Sequence, residues 1–470
     1  MKREQELVKN TLILSLGTIL PKLTTLITLP ILTGYLTKAE YGIYDLINTL
    51  VSLVIPLVTM KLEMATFRFL IDHRKDKEKA SAIITSAFSA VVPVSLIAIL
   101  IIYCSLRYFQ YTPVISLLVS AYFLIENIYT MLLQTARGLG HNLRYTISAI
   151  INAVVNMLLI VILVWKVQAG LIGLLIALNA ALILSGLFLL ISLKLSSYFR
   201  LSLFSKKQIM EMLSYSWPLV PNSLSSWVMN LSDRLIVTGI LGIEANAVYA
   251  VANKIPSLFT TFQGAFISAW HENASIIVGD KDTDDYYSSM FDAVFTIMIG
   301  IMAVLIAVTP ILFKLLIHEK YRDAYDQMPL LFGGMICFAL SSFMGGIYTA
   351  HKKTKSVGIT TIAAAISNLV INFALVRVIG LYAASLSTFL SYLFLIIFRM
   401  IDVRKFQPMR YNLKKIAVFS AVICGMCILT LFHSVYTQIF NFVFGIAFAY
   451  MINRKFIRMT LQSVRKKIRK

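Results

Sequence analysis

Apolar runs of about twenty residues recur along almost the whole chain, and they constrain its fold more than any other feature. Hydrophobic residues make up 58% of the 470 residues and charged residues only 14%, with a mean hydropathy of +0.79. Because a helix needs roughly 20 apolar residues to cross a bilayer, the sequence predicts an all-α polytopic membrane protein. The predicted spans, about fourteen in number, are 11–35, 41–70, 81–104, 113–136, 145–165, 170–193, 213–238, 245–270, 288–313, 327–350, 357–376, 381–401, 415–433 and 437–453.

Lysine and arginine are distributed unevenly among the predicted loops. Most of the 43 lie at the N-terminus, in the even-numbered loops and at the C-terminus. The odd-numbered loops hold few: Lys38, Arg107, Lys166, Lys314, Lys320, Arg322 and Arg377. Cytoplasmic loops carry the excess of positive charge, so we expect a multi-pass protein of a bacterial cytoplasmic (inner) membrane with both termini cytoplasmic. The net charge of +21 is then a topology signal that needs no nucleic acid, and the tail 465–470 would rest against anionic membrane lipids.

An internal repeat relates the two halves of the chain. Residues 33–48 match 238–253 at several positions, and the Asn-x-x-x-Asn pattern of 152–156 recurs at 368–372. Spans one and seven both start in the cytoplasm, so the two repeats would run in the same direction through the membrane.

The repeat predicts two six-helix lobes related by pseudo-two-fold symmetry, followed by a terminal helix pair. The N-terminal lobe would cover 1–200 and the C-terminal lobe 201–410, while 411–470 would hold the terminal pair and a basic cytoplasmic tail. Parallel repeats of this kind place a cavity between two lobes, which is the arrangement used for alternating access.

Three charged residues are expected near the middle of the membrane, where charges are costly and usually functional. They are Lys22 in span one, Glu126 in span four and Lys254 in span eight. One lysine in each lobe would make a cavity that attracts an anion such as phosphate or pyrophosphate. Glu126 is either a site of H⁺ or Na⁺ coupling or the internal counter-ion of a lysine.

Polar stripes on spans one, two, seven and eight, and charges near the ends of spans two and seven, supply the remaining candidates. Those assigned to substrate binding are Arg234, Asn48, Asn253, Lys61 and Arg68. Those assigned to coupling or gating are Asp45, Asp233 and Glu63. The alternative is that the small polar side chains hydrogen-bond neighbouring helices, and that the charged side chains near span ends extend to the membrane–water interface. Prolines predicted to bend the same spans are Pro21, Pro30, Pro56, Pro218, Pro221 and Pro256.

Enzyme chemistry has no support in the sequence. No P-loop, dinucleotide-binding, zinc-protease or nucleophile-elbow motif occurs, so we expect no catalytic residues and no cofactor. Cys104, Cys337, Cys424 and Cys427 all lie in apolar runs, which excludes a disulfide framework and gives no metal site. The acidic run 280–285 is expected to be a solvated loop rather than a cation site.

Several short motifs carry a family resemblance. They are Leu7–Thr11, Leu36–Tyr44, Gln134–Gly140, Ser232–Ile236, Ala350–Lys355, Asn368–Leu375 and Gly380–Ala384. With these motifs the chain resembles, over essentially its whole length, the polysaccharide transporter (Wzx-like) flippases of the multidrug/oligosaccharidyl-lipid/polysaccharide (MOP) exporter superfamily.

The resemblance implies a V-shaped two-lobe transporter that moves an undecaprenyl-pyrophosphate-linked oligosaccharide to the outer leaflet. The substrate would be a precursor of a capsule, an exopolysaccharide, an O-antigen or a teichoic-type polymer. Such relatives hold the pyrophosphate in a cationic cavity, and Lys22, Lys254 and Arg234 are residues of the expected class. Coupling to H⁺, Na⁺ or membrane potential is implied, as are polysaccharide polymerase and export proteins as partners.

Three other functions remain open on the sequence. A lipid II flippase for peptidoglycan would need a similar cavity charge. A cation-coupled multidrug exporter would need acids to hold organic cations, whereas the deepest basic residues here favour an anion. A membrane glycosyltransferase or polymerase would need a sizeable loop to present its catalytic groups, and the largest predicted outside loop is short, at 314–326.

Overall fold

The computed structural model describes residues 2–278 and 282–468, without the side chains of 2–16, 18, 19, 265, 268, 269, 272, 276, 455 and 459–468. The described residues form helices and turns, with no strand among them, and the protein is an all-α polytopic membrane protein. Within the described residues, 11 helices are long and apolar enough to cross a membrane. The predicted acidic loop at 280–285 and the basic tail at 465–470 fall partly outside the described residues. Within the described part, the predicted loop is shorter than expected, because a helix begins at Thr283.

Inter-residue contacts group the helices into two compact units, Met1–Trp227 (unit 1) and Val228–Lys470 (unit 2). The predicted division at 200 and 410 stays a prediction. The helices that begin in unit 1 are α1 (Lys2–Tyr35), α2 (Lys38–Thr59), α3 (Leu62–Asp72), α4 (Lys77–Tyr108), α5 (Pro113–Gly138), α6 (Asn142–Leu159), α7 (Gly170–Ser192), α8 (Lys206–Ser216) and α9 (Leu219–Leu241). Those of unit 2 are α10 (Ile243–Ala252), α11 (Lys254–Ile277), α12 (Thr283–Leu316), α13 (Asp323–Ala350), α14 (Thr354–Ile379), α15 (Tyr382–Val403), α16 (Leu413–Thr430) and α17 (Val435–Ile468).

Helix α5 is the centre of unit 1. It starts where Thr112 caps its first turn and Pro113 occupies the first helical position, where a proline costs no hydrogen bond. It packs against α3, α4 and α7, while α1 packs against α6. Phe123 and Leu132 of α5 are buried in the apolar core that these helices share. In unit 2 the main contacts join α13 with α15, α12 with α17, and α11 with α13.

Side-chain bonds between loops show that successive spans of unit 1 cross in opposite directions. Arg74, which follows α3, donates from Nε to the carbonyl of Gly138 at the end of α5, at 2.7 Å. At the opposite end, Glu40 Oε1 accepts from the backbone N–H of Leu171, at 2.9 Å, and so caps the start of α7. The even-numbered loops of unit 1 therefore meet at one end and the odd-numbered loops at the other.

Unit 2 has the same alternation. His351, after α13, lies 3.0 Å from Gln407, after α15, so two even-numbered loops meet. At the other end His433 Nε2 lies 2.8 Å from Asp326 Oδ1, which joins two odd-numbered loops. The His351–Gln407 contact thus joins the loop between α15 and α16 to the end of α13.

Predicted spans two and eight, which correspond in the repeat, are both bent, although at different positions along the span. Predicted span two ends as a helix at Thr59 and resumes at Leu62, because Met60 and Lys61 adopt left-handed conformations with φ of 49° and 59°. Predicted span eight is divided into α10 and α11 around Asn253. A proline accompanies each bend, Pro56 in α2 and Pro256 in the first turn of α11, and neither has an N–H for the preceding turn.

The other predicted proline bends turn out differently. Pro21 and Pro30 lie inside the continuous helix α1. The hydroxyls of Thr24 and Thr25 both donate to the Pro21 carbonyl, each at 2.9 Å, so side chains bond the backbone near the proline. Pro218 and Pro221 mark the start of α9, where a proline is tolerated.

Candidate functional site

Asn48 of α2 is bonded to α5 by a tyrosine. The Tyr122 hydroxyl donates to Asn48 Oδ1 at 3.0 Å, and Asn48 Nδ2 donates to the Tyr44 carbonyl at 2.9 Å. Both polar atoms of the amide are therefore used within unit 1. This bond fixes the side chain that sequence reasoning assigned to substrate binding.

Glu126 lies one turn after Tyr122 on the same face of α5, and Tyr129 follows on that face. The Tyr129 hydroxyl is 3.2 Å from Ser148 Oγ of α6, so the polar face of α5 continues onto α6. The Glu126 side chain is half-buried, and no described residue forms an ion pair with it. Within the part of the chain that the structure describes, Glu126 thus has aromatic hydroxyl neighbours rather than a lysine counter-ion.

The other predicted residues of unit 1 differ in exposure. Lys22 is exposed on α1, and Asp45 is buried on α2. Arg68 lies exposed near the end of α3 and pairs with Asp72 one turn later, at 2.7 Å. Their roles in binding or coupling stay predictions.

Lys61 and Glu63 meet at the bend between α2 and α3. Lys61 Nζ lies 3.4 Å from Glu63 Oε1, and the Thr59 hydroxyl donates to Glu63 Oε2 at 3.0 Å. The backbone N–H of Lys61 donates to the same Thr59 hydroxyl, at 3.1 Å. The structure therefore brings these two predicted residues together at the helix break, with Lys61 in a left-handed conformation and Glu63 in the first turn of α3.

Asp233 of α9 has the most complete polar environment of the predicted residues in unit 2. The residue is only 2% exposed, and its carboxylate accepts three hydrogen bonds. Asn372 Nδ2 donates to Oδ1 at 2.7 Å, and the hydroxyls of Thr388 and Tyr249 donate to Oδ2 at 2.6 and 3.1 Å. Three helices, α10, α14 and α15, thus converge on one buried carboxylate through neutral donors.

Two buried asparagines of α14 leave polar atoms without partners beside this carboxylate. Asn368 and Asn372 are one turn apart and both fully buried. No described residue hydrogen-bonds Asn372 Oδ1 or either amide atom of Asn368. An unpaired buried polar atom costs roughly 1–3 kcal/mol, so the cluster holds oxygen atoms that a cation or a water would satisfy.

The repeat-related partner of Asn48 makes the same local bond in unit 2. Asn253 Nδ2 donates to the Tyr249 carbonyl at 2.9 Å, as Asn48 does to Tyr44. Because the Tyr249 hydroxyl also bonds Asp233, Asn253 lies one turn from the carboxylate cluster. Lys254 follows directly at the start of α11, and Arg234 follows Asp233 on α9; both are half-buried.

Sequence reasoning missed several residues of these networks. Thr388 and Tyr122 are not predictable as network members, because a single hydroxyl in an apolar run does not indicate a polar site. The Asn-x-x-x-Asn repeat is visible in the sequence, but its spacing does not predict that Asn372 contacts Asp233. Arg399 of α15 was also missed; it is 4% exposed and bonds the Ser341 carbonyl and the Thr361 hydroxyl.

Unit 2 also contains an apolar groove of about 650 Å³. Helices α11, α12 and α17 form it, with Phe262, Val304 and Tyr450 among its lining residues. Asn453 is its most polar contributor, so the groove suits a hydrocarbon chain better than a sugar.

Sequence comparison identifies two families along the chain. A family described as polysaccharide biosynthesis protein matches residues 7–271, which is more than half of the chain. The MatE family matches residues 218–374. Among curated proteins, none has a significantly similar sequence.

Solved structures with a similar fold are transporters. An inward-facing multidrug resistance MATE transporter of the MOP superfamily has a TM-score of 0.66 at 14% identity, covering 84% of this chain and 98% of its own. A MATE protein in complex with MaL6 has a TM-score of 0.57 at 15% identity, with coverages of 85% and 96%. A MOP superfamily transporter from Pyrococcus furiosus, described as having a binding pocket of reverse polarity, has a TM-score of 0.57 at 15% identity, with coverages of 84% and 95%. The chain belongs to the polysaccharide biosynthesis protein family and is a polytopic transporter of the MOP superfamily.

Proposed function

We propose that this transporter is a flippase for an undecaprenyl-pyrophosphate-linked oligosaccharide, working by alternating access through a cationic cavity in the bacterial cytoplasmic membrane. The match to the polysaccharide biosynthesis family over 7–271 is the observation that carries the proposal. The substrate is a precursor of a capsule, an exopolysaccharide, an O-antigen or a teichoic-type polymer. Polysaccharide polymerase and export proteins are the partners that would use the translocated product.

The charge of the spans supports an anionic substrate. Lys22 lies on α1 in unit 1 and Lys254 lies on α11 in unit 2, and the spans predicted from the sequence would place both lysines near the middle of the membrane. A lysine ammonium holds a phosphate as a point charge, and the low dielectric of the membrane strengthens that attraction. Pocket polarity is a trait that differs within the superfamily, as described for the transporter from Pyrococcus furiosus.

The Asp233 cluster supports coupling to a cation gradient. Its carboxylate and the unpaired oxygen of Asn372 are hard oxygen ligands, which Na⁺ and H⁺ both accept. Donors from α10, α14 and α15 meet there, so an ion bound at Asp233 changes the bonds between three helices. Glu126 is a second titratable group, in unit 1, where it lies between two tyrosines of α5.

The apolar groove of unit 2 supports a lipid-linked substrate. An isoprenoid chain has no polar atoms, and a groove lined by Phe262, Val304 and similar residues offers it only apolar contacts. The sugar and pyrophosphate would meet polar residues elsewhere while the tail stays among membrane-facing helices.

A multidrug exporter is the second candidate, because several solved structures of similar fold are MATE multidrug transporters. Buried acids such as Asp233 could hold an organic cation. A lipid II flippase is a further alternative, since its substrate also carries an isoprenoid pyrophosphate.

The experiment that tests the proposal is leaflet exchange in proteoliposomes under an imposed Na⁺ or pH gradient. A fluorescent polyprenyl-pyrophosphate oligosaccharide is compared with a cationic dye, in the wild type and in the double variant Lys22→Ala/Lys254→Ala. We expect the lipid-linked sugar to move and the double variant to lose that movement. Lys405→Ala is the matched control, because Lys405 is exposed and pairs with Asp402 at 2.9 Å.

The outcomes separate the candidates. Normal movement of the lipid-linked sugar by the double variant contradicts the cationic cavity. Movement of the dye alone identifies a drug exporter. Preference for lipid II over other oligosaccharides identifies a peptidoglycan-precursor flippase.

A further inference from the structure

The turn between α5 and α6 gathers four basic side chains at one end of unit 1. Arg137 ends α5, His141 precedes α6 and Arg144 lies in its first turn, while Arg74 reaches in from the loop after α3. We call these four residues the basic turn. The distribution of lysine and arginine predicts that this end faces the cytoplasm.

Backbone and aromatic contacts hold two of the three guanidinium groups in place. Arg74 donates to the carbonyls of Gly138 and Arg137, at 2.7 and 3.1 Å. The Arg137 guanidinium lies 4.7 Å from the ring centre of Phe67 and 5.5 Å from that of Tyr145. Arg137 Nη1 also donates to Gln134 Oε1 at 3.3 Å. A guanidinium fixed in this way loses little rotamer freedom when its other N–H groups bind an anion.

No described acid neutralises the basic turn. None of the ion pairs among the described residues involves Arg74, Arg137 or Arg144. Two cations near the same end of unit 1 are paired: Lys79 lies 3.6 Å from Asp76 and Arg68 lies 2.7 Å from Asp72. The basic turn is therefore a local surplus of positive charge rather than one half of a salt-bridge network.

An exposed leucine lies within the same turn. Leu143, between His141 and Arg144, is 56% exposed. An apolar side chain next to a cationic cluster matches the chemistry of a phospholipid, in which a phosphate adjoins an acyl chain. A free phosphate ion would use the cations but gain nothing from the leucine.

We propose that the basic turn binds the phosphate of an anionic phospholipid, such as phosphatidylglycerol, from the cytoplasmic leaflet. Arg74, Arg137 and Arg144 contact the phosphate oxygens, and Leu143 contacts the start of an acyl chain. The site is independent of the transported substrate. It ties the α3–α4 loop, α5 and α6 to one lipid.

The surrounding charges also affect His141. Partial burial, and then the positive charges of Arg144 and Arg74, hold the pKa of His141 below its ordinary value. Arg137 of α5 and Tyr145 of α6 are further titratable groups near this turn, and α3, which packs against α5, ends at Asp72 and His73. A bound phosphate offsets the two arginines and raises the pKa of His141, so binding strengthens as pH falls through that pKa.

The test uses the full-length protein in detergent and dioctanoyl phosphatidylglycerol as the probe, with dioctanoyl phosphatidylcholine as the zwitterionic reference. Affinity is measured by native mass spectrometry and by titration of the histidine resonances. The test variant is His141→Gln/Arg144→Gln, which spares Arg74 and Arg137 because they also make structural contacts. The control Lys79→Gln removes an exposed, ion-paired cation at the same end.

We expect the double variant to bind phosphatidylglycerol about fivefold more weakly, because an arginine near a membrane surface contributes about fivefold in affinity, and we expect the control to bind normally. Equal affinity for the two lipids overturns the proposal, as does an equal loss in the control. Binding of inorganic pyrophosphate without binding of phosphatidylglycerol overturns it as well, and assigns the turn to a soluble anion.

Discussion

At the scale of single residues, Asp233 shows how a membrane helix can carry a buried carboxylate. A charged group inside a bilayer is costly unless hydrogen bonds replace its lost hydration. Here Thr388, Tyr249 and Asn372 replace it, at distances from 2.6 to 3.1 Å. A buried carboxylate is therefore stable at this position because three other helices present hydrogen-bond donors to it.

The hydroxyl of Thr388 can be removed without changing the shape of the side chain. In Thr388→Val the carboxylate loses its shortest hydrogen bond, and a bond to a charged group contributes about 1.5–3 kcal/mol. We expect the free energy of unfolding to fall by about that amount, seen as a lower melting temperature in detergent. Thr388→Ser keeps the hydroxyl and should melt much nearer the wild type; equal melting of both variants would show that the bond contributes little.

At the scale of helices and their connections, Gly170 sets the start of α7. Its φ of +56° is left-handed, and a Cβ placed there would collide with Glu40 Oε1. The Glu40 carboxylate already has two roles. It accepts a hydrogen bond from the Leu171 N–H at 2.9 Å, and it completes a capping box with Thr37. A side chain at position 170 therefore strains the backbone and displaces the cap of α7 as well.

Gly170→Ala should lower the free energy of unfolding by about 1–2 kcal/mol from the left-handed backbone alone. Displacement of Glu40 adds to that loss. Gly239→Ala is the matched control, because a Cβ at Gly239 meets no atom within 4 Å. Thermal unfolding followed by fluorescence measures both; a loss of stability in Gly239→Ala as large as in Gly170→Ala would refute the local explanation.

Arg399 joins three helices of unit 2 without an acidic partner. Its guanidinium donates to the Ser341 carbonyl of α13 at 2.8 Å and to the Thr361 hydroxyl of α14 at 2.9 Å. No described acid lies within ion-pair distance of it. Burying an arginine costs several kcal/mol, which its neutral hydrogen bonds offset only in part.

Two substitutions separate the packing of Arg399 from its charge. Arg399→Met fills similar space without a charge, so we expect a free energy of unfolding equal to the wild type or higher. Arg399→Ala leaves a cavity between α13, α14 and α15 and should cost about 2–4 kcal/mol. Chemical denaturation of the purified protein distinguishes the two; a large loss in the methionine variant would show that the hydrogen bonds outweigh the cost of burial.

At the scale of the whole molecule, the sequence predicts the helical class and the span positions better than the polar networks. Apolar length alone identifies a spanning helix, because the bilayer imposes it. The repeat is also visible locally: Asn48 and Asn253 make matching backbone bonds, and Gly170 and Gly380 share left-handed φ values of 56° and 58°.

The networks could not be predicted because their members are far apart along the chain. Asn372 and Thr388 are separated from Asp233 by 139 and 155 residues. Spacing rules apply within one helix and give no information on which helices become neighbours. The position of the bend at Met60 and Lys61 could not be predicted either, because neither residue type favours a left-handed backbone.

The orientation of the whole protein in the membrane yields the last prediction. Loop contacts such as Arg74 with Gly138 and His433 with Asp326 group even-numbered loops at one end of a unit and odd-numbered loops at the other. The excess of lysine and arginine then selects the even-numbered end as cytoplasmic. In a variant whose four native cysteines are replaced by alanine, Glu319→Cys probes an odd-numbered loop and Lys355→Cys an even-numbered one.

A membrane-impermeant thiol reagent added to intact cells should label Glu319→Cys and spare Lys355→Cys until the cells are permeabilised. Both positions are exposed, so a difference in labelling reports the side of the membrane rather than burial. The reverse pattern would place both termini outside, and the basic turn would then face a compartment where no cytoplasmic-leaflet lipid can reach it. The same labelling experiment therefore also tests whether the basic turn can face the cytoplasmic leaflet.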